Sequence, residues 1–108
     1  MEYLNRIQIR GKVGAVRLSE IHGTKVANFS VRTEHMFEMS NGDVTCETTW
    51  HNVVCWQSES AESLDSLAKE CSVYVEGRIR MLKYTSSTGG ERSFCEILAS
   101  KLELVKDE

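Results

Sequence analysis

Trp50 and Trp56 are the only tryptophans in the 108-residue chain, and they lie six residues apart in the run Thr48–Trp56, Thr-Thr-Trp-His-Asn-Val-Val-Cys-Trp. Side chains alternate along an extended strand, so an even spacing puts both indoles on one face. Such a pair is either ordinary core or a platform on which flat ligands stack. A second run, Val73–Tyr84, places Tyr84 close to Arg78, Arg80 and Lys83. Aromatic faces interleaved with cations on strands suit single-stranded nucleic acid, because every base has a π-face and every link a phosphate.

Other chemistries find little support. His51 could shuttle a proton, but no Ser, Cys or carboxylate is placed to complete a catalytic set. Glu47 shares its strand face without making an acid–base dyad. No enzyme is expected. Cys46, Cys55, Cys71 and Cys95 include no Cys-x-x-Cys pair and no histidine at zinc-finger spacing, so neither metal nor other cofactor is expected. Thiols scattered in this way read as small buried hydrophobes of a reducing compartment. Gly89-Gly90 lacks the lysine and following helix of a phosphate-cradling loop.

The elements that must carry these residues follow from periodicity. A chain of this length suits a single domain spanning residues 1–108, and 41% apolar with 27% charged residues is ordinary for a globular protein. No apolar run approaches a membrane span, and Met1-Glu2-Tyr3-Leu4 opens no signal peptide, so a soluble, cytoplasmic protein is expected. Arg6, Gln8, Arg10 and Lys12 alternate with Ile7, Ile9, Gly11 and Val13, a half-buried strand. Gly11 and Gly14 would permit a bend. After a turn at His22-Gly23-Thr24, Lys25–Phe37 reads as a second strand with Ala27, Phe29 and Val31 inward. Asn41-Gly42-Asp43 marks a hairpin into a third strand at about Val44–Gln57.

One segment reads as helix. Ser60 would cap about three turns in which Glu62 and Asp65 suit the start and Ala61, Leu64, Leu67, Ala68 and Cys71 form the apolar side. A fourth strand, Ser72–Tyr84, bends at Gly77; Thr85–Glu91 is a hairpin tip, and Ser93–Val105 is the fifth strand. The order β-β-β-α-β-β predicts an all-β, five-stranded Greek-key barrel of the oligonucleotide/oligosaccharide-binding type, the short helix lying between strands three and four. A sandwich would need more strands and a parallel sheet more helices.

Net charge is −3, which argues against a polyanionic ligand until its distribution is considered. Residues 1–33 carry six Lys/Arg against two Glu, residues 34–70 one Lys against eight Asp/Glu, and residues 71–108 six of each. The balances of +4, −7 and 0 gather cations at the first and fourth strands. A local basic stripe can meet phosphate despite overall acidity.

Four runs carry a family resemblance. Asn5-Arg6-Ile7-Gln8-Ile9-Arg10-Gly11-Lys12-Val13-Gly14 resembles the opening strand of bacterial single-stranded DNA-binding proteins. Val26-Ala27-Asn28-Phe29-Ser30-Val31 is similar to their second strand, Thr49-Trp50-His51-Asn52-Val53-Val54 to their third, and Val73-Tyr74-Val75-Glu76-Gly77-Arg78-Ile79-Arg80 to their fourth. The likeness covers about residues 4–100 in one order. It implies an oligonucleotide-binding barrel, usually a homotetramer, that coats single-stranded DNA in replication, recombination and repair without reading sequence. The family's base-stacking aromatics map onto Phe37, Trp50, Trp56 and Tyr84, and its basic phosphate contacts onto Arg6, Lys69, Arg80 and Lys83. His51 matches a position at the family's subunit interface. Asn52 and Leu82 stand where relatives commonly carry a cation, which implies a thinner phosphate footprint. The family's glycine-rich linker and acidic tail ending in Pro-Phe have no counterpart before Asp107-Glu108, so tail-mediated partners are not expected. Two rival readings keep the barrel: a dimeric, primosomal-replication-type accessory protein, and a protein-interaction barrel without DNA binding.

Overall fold

A computed structural model describes residues 2–59, 61 and 63–106. Five long strands follow the alternation of the sequence: β1 Ile7–Ile21, β2 Thr24–Glu38, β3 Val44–Trp56, β4 Ser72–Thr85 and β5 Glu91–Val105. They close into a barrel in the order β1-β2-β3-β5-β4. The pairings between these strands are antiparallel except the short parallel contact of β3 with β5, where Val53, Val54 and Cys55 face Ile97, Leu98 and Ala99. Closure removes open edges within the barrel, leaving them on the parts of β3 and β5 that lie before Val53 and Ile97.

The inward positions build one core. Val13, Ala27, Phe29, Val31, Val53, Cys55, Val73, Val75, Ile97 and Leu102 pack together inside the barrel. The first strand stays paired with both neighbours by bending: its register against β2 shifts between Val13 and Val16, and that against β4 begins at Ile7 opposite Gly77. At Gly77 the strands approach so closely that a Cβ would stand 2.2 Å from the Leu98 carbonyl oxygen, and the β4–β5 register shifts beside it. A side chain there would force the barrel seam apart.

The three-turn helix expected after β3 is not formed. A single 3-10 turn spans Leu64–Ser66, Ser63 makes no side-chain cap, and Leu67 is already extended. Ser60 and Glu62 lie outside the described residues. The physical reason lies in the spacing. Ala61, Leu64 and Leu67 are all buried while Ala68 is exposed, a repeat of three that a tight irregular turn satisfies as well as an α-helix does. Gln57 holds the turn in place of a helical ladder: its amide donates to the Ala61 carbonyl (3.2 Å) and its oxygen accepts from the Leu64 N–H (3.1 Å). The connection thus plugs one end of the barrel with Leu64, which is fully buried.

Two hairpins reach past the barrel. The β2–β3 arm turns at Asn41-Gly42, where Gly42 takes φ +90° and the Asn41 carboxamide oxygen accepts from the Asp43 N–H (3.0 Å). The β4–β5 arm turns at Gly89, with φ +88°. Between the arms β3 and β5 diverge, because their pairing starts only at Val53 and Ile97. The fork so made flanks the aromatic residues.

Candidate nucleic-acid interface

Strand alternation decides which way each ring points. Along β3 the core takes Val53 and Cys55, so Trp50, Asn52, Val54 and Trp56 face outward. Trp50 is 54% exposed and Trp56 39%, about 20 Å apart along an extended strand. Neither indole belongs to the inner core.

Trp50 has a built surround. Its ring lies over Gly14 so tightly that a Cβ at that glycine would stand 2.6 Å from Trp50 Cζ3 and 2.7 Å from Ser30 Oγ. Opposite Trp50 in the β2–β3 register is Arg32, whose guanidinium carbon is 6.0 Å from the indole centroid. That is within reach of a cation–π contact. Gly14, Ala15, Ser30, Trp50 and Lys69 line a shallow groove of about 470 Å³. Lys69 has no acidic partner among the described residues. Arg32 is shared with Glu34 (3.3 Å) and Glu70 (3.5 Å), so its charge is partly answered. The groove therefore joins a flat ring, a ring-side guanidinium and an ammonium.

On the β4–β5 arm Tyr84 is exposed and faces Arg92 across the ladder. Phe94, on the same face two residues on, meets Tyr84 edge to face, with centroids 5.8 Å apart and planes at 64°. Arg80 shares this face, but it is committed to Glu96: its Nε donates to Glu96 Oε1 at 2.7 Å, and Nη2 lies 2.5 Å from the same oxygen. Glu96 is buried and needs that cation, since a carboxylate leaves water only when paired. Lys83 is adjacent in sequence to Tyr84 and so projects from the other face of the arm, 3.9 Å from Glu91. Arg6 precedes β1 and lines, with Arg78 and Leu98, a groove of about 450 Å³ at the β1–β4 seam. Asn5 fixes that end by exchanging two hydrogen bonds with the Ile79 backbone, at 2.6 and 3.0 Å.

Phe37 is placed apart from the other aromatics. It pairs with Thr45 on the face of the β2–β3 arm that continues the core side, opposite to the face of Trp50 and Trp56, and stacks on His35 at 6.1 Å. His51 stands on the core side of β3 inside the fork, its Nε2 2.8 Å from Thr33 Oγ1. Partial burial holds its pKa below the usual histidine value. With Thr49, Trp50, Asn52 and Ile79 it lines a fork cavity of about 250 Å³. Among the described residues no group of three or more His, Cys, Asp or Glu is arranged to hold a metal ion. The structure thus brings together Trp50 and Lys69, adds Arg32, Arg92 and Phe94, and leaves Phe37 and Lys83 on other faces.

Comparison with known proteins agrees with this geometry. The profile of the Single-strand binding protein family matches residues 4–105. The chain belongs to that family. A single-stranded DNA-binding protein of Neisseria meningitidis is 32% identical over 106 residues, covering 94% of this chain and 60% of the relative. The mitochondrial single-stranded DNA-binding protein of Drosophila melanogaster is 31% identical over 108 residues, covering 96% and 73% respectively. The chain thus spans about three-fifths of the length of its Neisseria relative. A Plasmodium falciparum SSB in complex with ssDNA superposes with a TM-score of 0.85 at 26% identity over 98% of both chains. The barrel is an oligonucleotide-binding fold of this family.

Proposed function

We propose that this protein binds single-stranded DNA without reading its sequence and without turnover, in replication, recombination or repair. The observation that carries the reading is the groove at Trp50, an exposed indole seated on Gly14 with Arg32 at its edge and Lys69 beside it. Bases stack on Trp50, Trp56 and Tyr84; each stack contributes about 1–3 kcal/mol and tolerates any base. Arg6 and Lys69 meet phosphates, as does Arg80 to the extent that Glu96 leaves its guanidinium available; Lys83, beside Glu91 on the other face of its arm, meets a phosphate only where the strand rounds that arm. Phe37 is reached only by a strand that rounds the edge of the β2–β3 arm. Relatives named for single-stranded DNA binding support the ligand class.

The fork supports self-association. Ile79 is exposed there in the same cavity as His51, Met81 is exposed across from Cys95 of that cavity, and a second copy of the chain would cover them. We assign a homo-oligomer, a tetramer as in the family the sequence resembles, with a dimer as the outcome that would favour an accessory role in primosome assembly. Its four free thiols fit work in the cytoplasm, a reducing compartment. Among the described residues no helix is long and apolar enough to cross a membrane.

The test is anisotropy of labelled oligo-dT and of a duplex of equal length at low salt. The reading requires retention of oligo-dT in preference to duplex, and about tenfold weaker binding by Trp50→Ala. Equal affinity for duplex, or no binding, rejects it.

A further inference from the structure

We propose that Phe94 is a base-stacking platform in its own right, forming with Tyr84 a two-ring step. By this assignment the stacking surface of the β4–β5 arm continues from Tyr84 onto β5, and the β2–β3 arm contributes less to affinity. The inference rests on the reading of the protein as a single-stranded DNA binder.

Three observations support it. First, direction: Tyr84, Phe94, Leu98, Trp50 and Trp56 all alternate onto the outer face, which runs continuously from β3 across β5 to β4 through the pairings of Val54 with Leu98 and Leu98 with Arg78. Second, exposure without structural need: Phe94 is 38% exposed and lies outside the core cluster, on the part of the hairpin that has left the barrel. Its edge-to-face contact with Tyr84 holds two planes at 64°, so successive bases can stack on surfaces that turn the strand. Third, charge: Arg92 stands directly across from Tyr84 and has no acidic partner among the described residues.

The β2–β3 arm has the opposite character. Glu34, Glu38, Asp43 and Glu47 lie on it, and residues 33–68 hold no Lys or Arg. Carboxylates at this density repel a phosphate backbone. Its aromatic, Phe37, also points away from the outer face.

The test compares Phe94→Leu, Tyr84→Leu, Phe37→Leu and the Phe94→Leu/Tyr84→Leu pair by oligo-dT anisotropy at two salt concentrations, with melting temperatures as the fold control. Leucine keeps the apolar bulk and removes the π-face. Phe94→Leu should weaken binding about tenfold and leave the slope of log K against log salt unchanged, since no phosphate contact is lost. Phe37→Leu should stay within about twofold of the parent. A ring that merely props Tyr84 would show no further effect in the Tyr84→Leu background, whereas a platform continues to weaken it. The proposal is overturned if Phe94→Leu binds within twofold of the parent, if its effect vanishes when Tyr84 is leucine, or if Phe37→Leu costs as much. In each of those cases the parent protein still binds oligo-dT, so only this inference fails. A parent that binds no oligo-dT removes the broader reading with it.

Discussion

Gly14→Ala is a test of whether the Trp50 ring, rather than its mere presence, sets affinity. The added methyl would stand 2.6 Å from Cζ3, 3.1 Å from Cη2 and 2.7 Å from Ser30 Oγ. Carbon contacts are comfortable at about 3.5–4.0 Å, so the indole must retreat by about 1 Å or rotate off its seat. Trp50 is on the surface and can yield, and Ala gains from a less disordered unfolded chain, so stability should change by under about 1 kcal/mol. The displaced ring loses part of a stack worth about 1–3 kcal/mol, for which about fivefold weaker binding of oligo-dT is expected. Trp50→Ala should cost about tenfold or more, and adding Gly14→Ala to it should cost little further, because the two changes act on one contact. Fluorescence anisotropy with a melting curve for each variant reads all of this. Gly14→Ala weakening the Trp50→Ala variant as much as it weakens the parent would refute the reasoning, since the glycine would then act through something other than the ring.

Three further outcomes follow from the same geometry. Glu96→Gln frees Arg80 from its carboxylate, so DNA binding should tighten and the salt slope steepen by about 0.7 for one more neutralised phosphate, while a pair that is only partly desolvated is lost at about 1 kcal/mol of stability in a denaturant melt. His51 is held below the usual histidine pKa by burial, so the folded state resists its protonation. Stability from His51 is therefore present above about pH 6.5 and lost as pH falls through the depressed folded value, and His51→Asn should flatten that part of the pH–melting profile. Burial pushes the Cys55 thiol up to about 11, whereas Cys46 and Cys95 are exposed. A thiol-specific reagent at neutral pH should label Cys46 and Cys95 first and Cys55 only on unfolding; early labelling of Cys55 would contradict its place in the core.

How much of this could be read beforehand depended on the period of the pattern. Strict alternation in Arg6–Val13 and at Ala27, Phe29 and Val31 fixed strands and inner faces, and the Asn41-Gly42 turn fixed a hairpin. Both tryptophans stand outward as a period of two demands. The stretch at Ala61–Leu67 reads as a three-turn helix and is not one, because a repeat of three fits an α-helix, a 3-10 turn and an irregular plug alike, and only the docking of Leu64 and the Gln57 side chain decide among them. Arg32 and Phe94 were missed although their signals were present. Counting back from the Asn41-Gly42 turn sets Arg32 across from Trp50, and counting back from the tip at Thr88-Gly89 sets Phe94 diagonal to Tyr84. Register, not residue type, carries that information. The Arg80–Glu96 pair illustrates the remaining limit: a cation's charge is read from sequence, but whether a neighbour already answers it depends on which strands meet.

Intrinsic tryptophan fluorescence titrated with oligo-dT tests the central claim most directly, because Trp50 and Trp56 are both reporter and binding surface. At low salt the emission should be quenched to saturation by oligo-dT and left nearly unchanged by duplex, with log K falling against log salt by about 0.7 for each phosphate neutralised. Emission that stays constant through a saturating excess of oligo-dT, or that responds equally to duplex, would contradict the account.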